Sequence, residues 1–403
     1  VDSSLPAPLL PPTQCSWAVN RDVRGGYPDP RPGFAQRKTG YIQGLFQGSG
    51  CGPNPAGSAY YADDGNVYLP IAIAGRIFLT NVSQGYAITE VTSGNFVNST
   101  TAPQQWFCQA GRMLIVQDGI NLPIFWNGVS ARRSNGNTAN QLNSPELPVG
   151  NSMAFYQGRV WIAQGSNYVA GDIINGNLAI PDPRDTVVGF TENSYLNEGG
   201  AFSIPSTQGP ITAMGYTPNI DTTLGQGSLL VCTATGIWTF DAPVDRTTWK
   251  NLQQPLQRDA LIGTGVTSQQ SLDFVNGDVY FRSSDNSLRS YFFARRDYEN
   301  QWGNVPLSRQ INRATNGEAQ CWMYNASGAA WQNRFLFTVQ PQRDQVTGIY
   351  FLGLGCLDFF NVGGVGKVMP PAWNGIWTGI QIFQVVTATV ANVKRFFAWV
   401  RNQ

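Results

Sequence analysis

A short motif recurs along the chain: a Gly-Arg pair followed at once by a run of apolar residues. It reads Gly75-Arg76-Ile77-Phe78-Leu79, Gly111-Arg112-Met113-Leu114-Ile115-Val116 and Gly158-Arg159-Val160-Trp161-Ile162. A turn residue in front of a run rich in β-branched and aromatic side chains is typical of a β-strand that follows a tight turn. The repetition therefore predicts an all-β chain built from many short hairpins.

The spacing of these units favours one architecture. Successive starts are separated by 36, 47, 69, 50, 56 and about 60 residues, which suits one four-stranded blade for each unit, with insertions of variable length. We therefore predict a β-propeller of about six or seven blades. The alternative is an irregular β-sandwich in which the motif only marks where a strand begins. Looser copies of the motif begin at Gly227, Gly277, Asn333 and Lys394.

The beginning of the chain follows no such pattern. Residues 1–14 read VDSSLPAPLLPPTQ, and each proline fixes φ and disfavours helix at the residue before it. We expect residues 1–40 to form an extended Pro-rich arm and a lead-in segment, and residues 41–403 to form the propeller, with an insertion around 165–225. The arm has too few apolar residues for a core of its own, so Leu5, Leu9 and Leu10 are its candidate partner-binding anchors.

Composition narrows the chemistry. The chain has no histidine, which removes the usual general base at neutral pH and every mechanism that depends on a histidine relay or ligand. It carries 26 basic and 25 acidic residues, a net charge of +1, so the molecule as a whole does not attract nucleic acid or an anionic membrane. With 44 glycines and 25 prolines in 403 residues, we expect many turns and few long helices.

The cysteines and the apolar runs exclude other classes of protein. The six cysteines are never closer than 35 residues, so no Cys-x-x-Cys pair exists for zinc, haem or redox chemistry. We expect buried free thiols, although an even number of cysteines also permits three disulfides. No apolar run approaches the roughly 20 residues that a membrane-spanning helix needs, so we expect no membrane-spanning segment.

Individual chemical motifs are incomplete. The stretch Gly363–Val368 contains a Gly-Lys pair but lacks the other residues of a phosphate-binding loop, and Asp63-Asp64-Gly65 lacks the ligand series of a calcium loop. A carboxylate-based glycosidase needs no histidine, and Ser283–Ser287 is faintly similar to the Asp-box turn of sialidase-like propellers. We predict no catalytic, cofactor-binding or metal-binding residue, and a glycan-binding or glycan-cleaving β-propeller remains the alternative.

Several stretches together resemble the propeller-bearing tail-nozzle and packaged-DNA-stabilisation proteins of short-tailed bacteriophages. Near the start, Gly25-Gly26-Tyr27 and Arg31-Pro32-Gly33-Phe34 look like the turn that precedes their first blade. The further stretches that carry the resemblance are Gly209–Met214, Leu229–Thr233, Gly236–Trp238, Asp278–Ser283, Leu288–Tyr291, Pro306–Arg309, Asn333–Phe337, Gly348–Phe351, Leu357–Phe359 and Pro371–Gly379.

The resemblance implies a structural role in the virion and no enzyme activity. Members of this group form a ring of identical subunits, commonly six, below the portal and adaptor proteins. The ring retains the double-stranded genomic DNA and later lets it pass through its channel without sequence-specific binding. For this chain, the resemblance implies a tail protein that is assembled in the cytoplasm of the bacterial host and that contacts itself, the portal or adaptor and other tail proteins.

Overall fold

The chain is described by a computed structural model. The described residues are 10, 18–22, 29–35, 56–92, 97–136, 145–174, 182–191, 201–218, 226–251, 257–291, 306–343, 350–360, 371–379 and 382–400. They divide into two compact units, one made of residues 38–265 and the other of residues 1–37 together with 266–403.

The protein is all-β and its fold class is the β-propeller, as the repeated motif predicts. Among the described residues, six sheets have three or more strands, and the neighbouring strands in each are antiparallel. This agrees with the prediction of about six or seven blades. The helices are short, namely the 3₁₀ helices Pro183–Val188, Ser206–Gln208, Arg246–Asn251, Gln269–Ser271, Leu307–Ile311 and Gln320–Asn325 and the α-helix Asn312–Thr315.

Most copies of the motif mark the second strand of a hairpin, and the backbone of the turn explains why. The pairs Gln157-Gly158 and Asn276-Gly277 have φ values of 49° and 75° and of 51° and 79°. Two consecutive positive φ values define the type I′ turn, whose twist matches that of the strands it joins. The looser copies at Asn333 and Lys394 follow the same rule, because positive φ also occurs at the turn residues before their strands.

The unit of residues 38–265 contains four of the sheets. The first has the order β3-β5-β6-β7, with β4 paired to β5, and the next three are β8–β11, β12–β15 and β16–β19. The strands are β3 (Ala56–Gly57), β4 (Tyr60–Tyr61), β5 (Val67–Ile73), β6 (Arg76–Asn81), β7 (Ala87–Glu90), β8 (Trp106–Ala110), β9 (Met113–Gln117), β10 (Ile124–Trp126), β11 (Ala131–Arg133), β12 (Met153–Tyr156), β13 (Arg159–Gln164), β14 (Asn167–Ala170), β15 (Ala201–Ser203), β16 (Ile211–Tyr216), β17 (Leu229–Thr233), β18 (Gly236–Phe240) and β19 (Gln257–Ile262).

The other unit contains the fifth sheet, β20–β22, the sixth sheet, β23–β26, a C-terminal hairpin and a two-stranded ribbon near the start of the chain. The strands are β1 (Arg21–Asp22), β2 (Asp29–Pro30), β20 (Asp273–Val275), β21 (Asp278–Arg282), β22 (Leu288–Ser290), β23 (Gly328–Trp331), β24 (Arg334–Arg343), β25 (Tyr350–Asp358), β26 (Ala372–Thr378), β27 (Ile382–Val390) and β28 (Val393–Val400).

The apolar cores lie between neighbouring sheets within each unit. One cluster joins the third and fourth sheets and includes Trp161, Tyr168, Phe240 and Trp249. The rings of Trp161 and Phe240 meet edge to face, with centroids 5.3 Å apart. Aromatic rings therefore fill the wide space between sheets, and most of the tryptophans named in the strands serve packing.

The stretch 165–225, where we expect an insertion, carries ordinary blade strands in its described part. It holds β14 and β15 of the third sheet and β16 of the fourth, with the 3₁₀ helix Pro183–Val188 between the first two. Among the described residues, no helix is long and apolar enough to cross a membrane.

Candidate functional site

The N-terminal segment lies along the outer strand of the sixth sheet. Val19 forms a parallel bridge with Ile376 of β26. The Asn20 amide donates to the Ile376 carbonyl at 2.9 Å, and the Ile376 amide donates to the Ala18 carbonyl at 3.2 Å. We call this arrangement the docking seam, meaning Ala18–Asp22 together with β26 and Arg334. Ala18–Asp22 therefore add a short parallel pairing to the edge strand of the four-stranded sheet β23–β26.

Side chains fix the register of the docking seam. The Thr378 amide donates to Asn20 Oδ1 at 2.7 Å, and the same oxygen accepts from Arg31 Nε at 2.9 Å. The indole Nε1 of Trp377 donates to the Arg21 carbonyl at 3.0 Å. Because the bonds from Trp377 and Thr378 come from different positions on β26, a shift of the segment by one residue would break both at once.

A buried ionic cluster closes the far end of the docking seam. Arg334 Nη2 donates to Asp22 Oδ2, and Arg334 Nε donates to Asp358 Oδ2 at 3.0 Å. Asn374 Nδ2 donates to the other Asp22 oxygen at 3.1 Å. The Arg334 and Asp358 side chains are each 3% exposed, so their charges act in a medium of low dielectric constant, where each depends strongly on its partner.

Gly375 lets the segment approach closely. Its φ is +84°, and a Cβ placed on it would stand 2.3 Å from the Ala18 carbonyl oxygen. Any other residue at this position would have to push the segment away from β26 and would also carry the strain of a positive φ. The strand is therefore shaped locally to receive Ala18–Asp22.

The segment continues toward the C-terminal hairpin. Arg31 lies over the ring of Phe34, with its guanidinium carbon 5.1 Å from the centroid. The Phe34 ring lies 6.4 Å from that of Phe396 on β28, and Phe396 in turn lies 6.1 Å from Trp331 on β23. The described residues 18–22 and 29–35 therefore contact both β26 and β28.

The residues predicted to bind partners lie beside the docking seam in sequence. Leu5 and Leu9 fall outside the described residues, and Leu10 is half-buried. Ala18 is the next described residue after Leu10, and the partner-binding role of the three leucines stays a prediction. The sequence does not predict the docking seam itself, because nothing around Asp22 or Asn374 indicates that these two residues are in contact.

A second polar cluster lies in the fifth sheet. Arg282 at the end of β21 is fully buried, donates to Glu318, and lies 4.7 Å from the centroid of the Phe337 ring. Burial raises the pKa of Asp285 in the following turn, but hydrogen bonds from Arg289, Ser283 and Ser287 outweigh burial and bring the value to about 2. The turn that faintly resembled an Asp box is thus held by hydrogen bonds among its own side chains and to Arg289, Arg282 and Glu318.

A charged cluster joins three segments of the unit of residues 38–265. Arg112, in the turn before β9, binds Asp185 through two bonds of 2.7 and 2.6 Å and also binds Asp182 at 2.9 Å. Arg184 binds Asp182 and, at 2.7 Å, Asp63 in the turn before β5. The side-chain hydrogen bond from Arg184 holds the pKa of Asp182 at about 2. Each of these three carboxylates is therefore paired with an arginine.

The buried carboxyl group of Asp273 bears on the glycosidase alternative. A glycosidase needs a carboxylic acid whose pKa is raised and a second carboxylate across the sugar. Burial raises the pKa of Asp273, yet its oxygens accept from the amides of Ala330 and Phe274, both at 2.7 Å. Asp273 therefore joins the fifth sheet to the sixth, which is a structural role.

Asp63-Asp64-Gly65 and Gly363–Val368 are the incomplete calcium-loop and phosphate-loop motifs. Within the described ranges, no group of three or more cysteines, aspartates or glutamates is placed to hold a metal ion. Asp64 accepts from the Asn66 amide at 2.9 Å and from its side chain at 2.7 Å, so Asp63-Asp64-Gly65 forms a turn. The stretch Gly363–Val368 lies outside the described residues.

The described cysteines are of two kinds. Cys108, Cys232 and Cys356 are buried free thiols, as expected, and burial raises the pKa of Cys108 to about 12. Cys321, in contrast, is disulfide-bonded, so the expectation of free thiols is wrong for this residue. A neutral buried thiol is a poor nucleophile, which gives the three free cysteines a packing role.

The known proteins that this chain is similar to are solved structures. No family model matches the chain, and neither does any curated protein. Among solved structures, the β-propeller domain of Cps50 (Swd1) from Myceliophteria thermophila aligns at 12% identity and a TM-score of 0.40, covering 86% of this chain and 97% of that one. The computationally designed protein Ika8 aligns at 11% identity and a TM-score of 0.39, covering 87% and 98%.

A third solved structure is the extracellular domain of a hybrid two component system from B. thetaiotaomicron. It aligns at 11% identity and a TM-score of 0.36 over 79% of this chain. The chain spans only 39% of the length of that structure. The fold class therefore rests on the sheets themselves, and these likenesses carry no argument about function.

Proposed function

We propose that the protein is a structural virion component of a short-tailed bacteriophage, a nozzle or tail-closing protein whose copies form a ring around the DNA exit channel. The observation that carries this proposal is the docking seam. A buried ion pair, two backbone hydrogen bonds and the close approach allowed by Gly375 hold Ala18–Asp22, which follow the Pro-rich stretch in the sequence. Fixing these residues would position the preceding arm to contact a partner.

The sequence resemblance to tail-nozzle and packaged-DNA-stabilisation proteins points the same way. In this proposal the partners are other copies of the chain in a ring of about six, the portal or adaptor, and other tail proteins. Double-stranded DNA passes through the channel without sequence-specific binding, for which a net charge of +1 is suitable because a strongly basic surface would retain the DNA. The location is the virion tail, after assembly in the host cytoplasm.

The side chains support a structural role over an enzymatic one. Clustered carboxylates such as Asp182, Asp185 and Glu318 are held by arginines, and the carboxyl group of Asp273 is bonded to backbone amides. These groups stabilise turns and join sheets. The proposal therefore assigns no catalytic residue to this protein.

Assembly of the purified full chain tests the proposal. Native mass spectrometry should find a closed oligomer at a multiple of the 44.0 kDa chain mass, with six copies as the expected number. A glycan array and a polysaccharide hydrolysis assay, run on the same preparation, address the rival function. A monomer that binds or cleaves a glycan, and that loses this activity on substitution of one carboxylate, would overturn the proposal.

A further inference from the structure

The docking seam has the properties of a receptor for a peptide. The core clusters around the sixth sheet draw their buried residues from positions between Val275 and Val385. Residues 18–22 supply none of them. The segment is therefore held by edge hydrogen bonds and by one ionic cluster, and β23–β26 have their apolar core without it.

The receptor side also keeps its charge balance when the segment is absent. Arg334 retains Asp358 as a partner at 3.0 Å, which leaves a complete buried ion pair. A buried arginine without any carboxylate would be strongly unfavourable, and such a site would collapse or refold when emptied. Without the segment, the site consists of Arg334 paired with Asp358, and of Asn374 and Gly375 on β26.

A long connection joins the segment to the first blade in the sequence. Between Ala35 and Ala56 the chain has 20 residues, which can span up to about 66 Å when extended. The contacts that a segment makes in its own subunit are all available to the same segment of a neighbouring copy. Exchange of identical elements is therefore a low-cost route to an oligomer.

We infer that, in the assembled ring, the docking seam of each subunit binds residues 18–22 of a neighbouring copy. Thr378 donates a hydrogen bond to Asn20, and Trp377 donates one to the Arg21 carbonyl. Arg334 and Asn374 donate to Asp22. Gly375 admits the backbone of the incoming segment. This inference rests on the proposed ring, and it names the surface and the partner that close the ring.

A cysteine pair across the bridge distinguishes the two arrangements. Val19→Cys with Ile376→Cys, in the full chain, is oxidised after the ring fraction has been isolated, and is then separated under denaturing, non-reducing conditions. Exchange between copies predicts a ladder of covalent multimers up to the ring size. Cross-links confined to single chains, or a ring fraction with no cross-link, would contradict exchange. Each single cysteine variant controls for the native cysteines.

Charge exchange provides a second test that requires no oxidation. Asp22→Arg places a cation against Arg334, and Arg334→Asp places a third carboxylate in the cluster, so each variant alone should lose at least tenfold in ring yield. A one-to-one mixture restores opposite charges only between different chains. The inference predicts recovery of rings in the mixture, and no recovery contradicts it. The doubly substituted chain is the matched control for tolerance of the reversed pair.

The two tests separate this inference from the proposed function. Wild-type protein that forms no ring would overturn both. Wild-type rings that contain only intramolecular cross-links, together with a mixture that stays unassembled, would overturn the exchange of segments and leave the ring in place.

Discussion

Asp22 and Arg334 lie 312 residues apart in the chain and form a buried ion pair. The pair joins the N-terminal segment to β24, and Asn374 on β26 binds the second oxygen of Asp22. Removing one member of such a pair leaves the other charge buried without its partner, whereas Arg334 keeps Asp358. The structure therefore combines specific docking with a sheet that tolerates undocking.

Gly375→Ala should release the N-terminal segment. The new Cβ would clash with the Ala18 carbonyl, in addition to the strain of φ = +84°. Hydrogen–deuterium exchange should show faster exchange of the Asn20 amide, which donates to Ile376, with little change in the buried strands of the sixth sheet.

Gly379→Ala is the matched control for that prediction. Its φ is +96°, and nothing lies within 4 Å of a Cβ at this position, so it carries the backbone strain of about 1 kcal/mol without the clash. Equal exchange of the Asn20 amide in both variants would mean that the clash with Ala18 has no effect on docking.

The buried pair of Arg282 and Glu318 should be strongly coupled. Both side chains are fully buried, so Arg282→Met or Glu318→Leu alone should lower the free energy of unfolding by about 3–5 kcal/mol. The double substitution should cost less than the sum, because no unpartnered charge remains. Urea unfolding of the four proteins measures this coupling. Arg184→Met, at a solvent-exposed ion pair, should cost much less than either of these single substitutions. Additive single effects would contradict the coupling.

Acid sensitivity should depend on Asp118. Burial raises its pKa, but hydrogen bonds from the Ser99 amide and from Asn121 and Ile120 outweigh burial and hold the pKa below its usual value. The ionised carboxylate therefore stabilises the fold above about pH 4, and this contribution is lost as the pH falls further.

The test is the melting temperature of Asp118→Asn as a function of pH. The variant should melt below the wild type at pH 7, and the gap should narrow as the pH is lowered from 4 toward 2. Asp64→Asn, in an exposed turn, should show a smaller gap at pH 7. A gap that stays constant over the whole pH range would argue that ionisation of Asp118 does not matter.

Much of the fold could be predicted from local sequence, because the type I′ turn leaves a local mark. Gln157-Gly158 and Asn276-Gly277 adopt two positive φ values in succession, and the following apolar runs form β13 and β21. The copy at Gly227 differs, since 12 residues, 217–228, separate β16 from β17 in the sequence. Its strand was predicted correctly although the preceding strand is further away than in the other copies.

The docking seam could not be predicted from the same kind of evidence. Asp22 sits in a stretch without periodicity, and its partners Arg334 and Asn374 belong to two different strands, β24 and β26. A pattern within a short window does not report which distant strands become neighbours. Cys321 shows the same limit, because its disulfide depends on a distant partner that its surrounding sequence does not indicate.

Removal of the Pro-rich arm should impair assembly without unfolding the protein. A chain that lacks residues 1–14 should keep its circular dichroism spectrum and melting temperature, since this stretch has too few apolar residues for a core of its own. It should shift from oligomer to monomer in native mass measurements. Replacing Leu5, Leu9 and Leu10 together by serine, with the arm retained, should give a similar shift. Unchanged assembly of both variants would make the arm a passive tail.

Electron microscopy of the assembled protein tests the central claim most directly. Class averages of the purified full chain, and of phage particles in which mass spectrometry detects it, should show a ring of identical subunits, expected to number six, around an open central channel at the tail. A particle that contains the chain as single copies, or as clusters without a channel, would contradict the account.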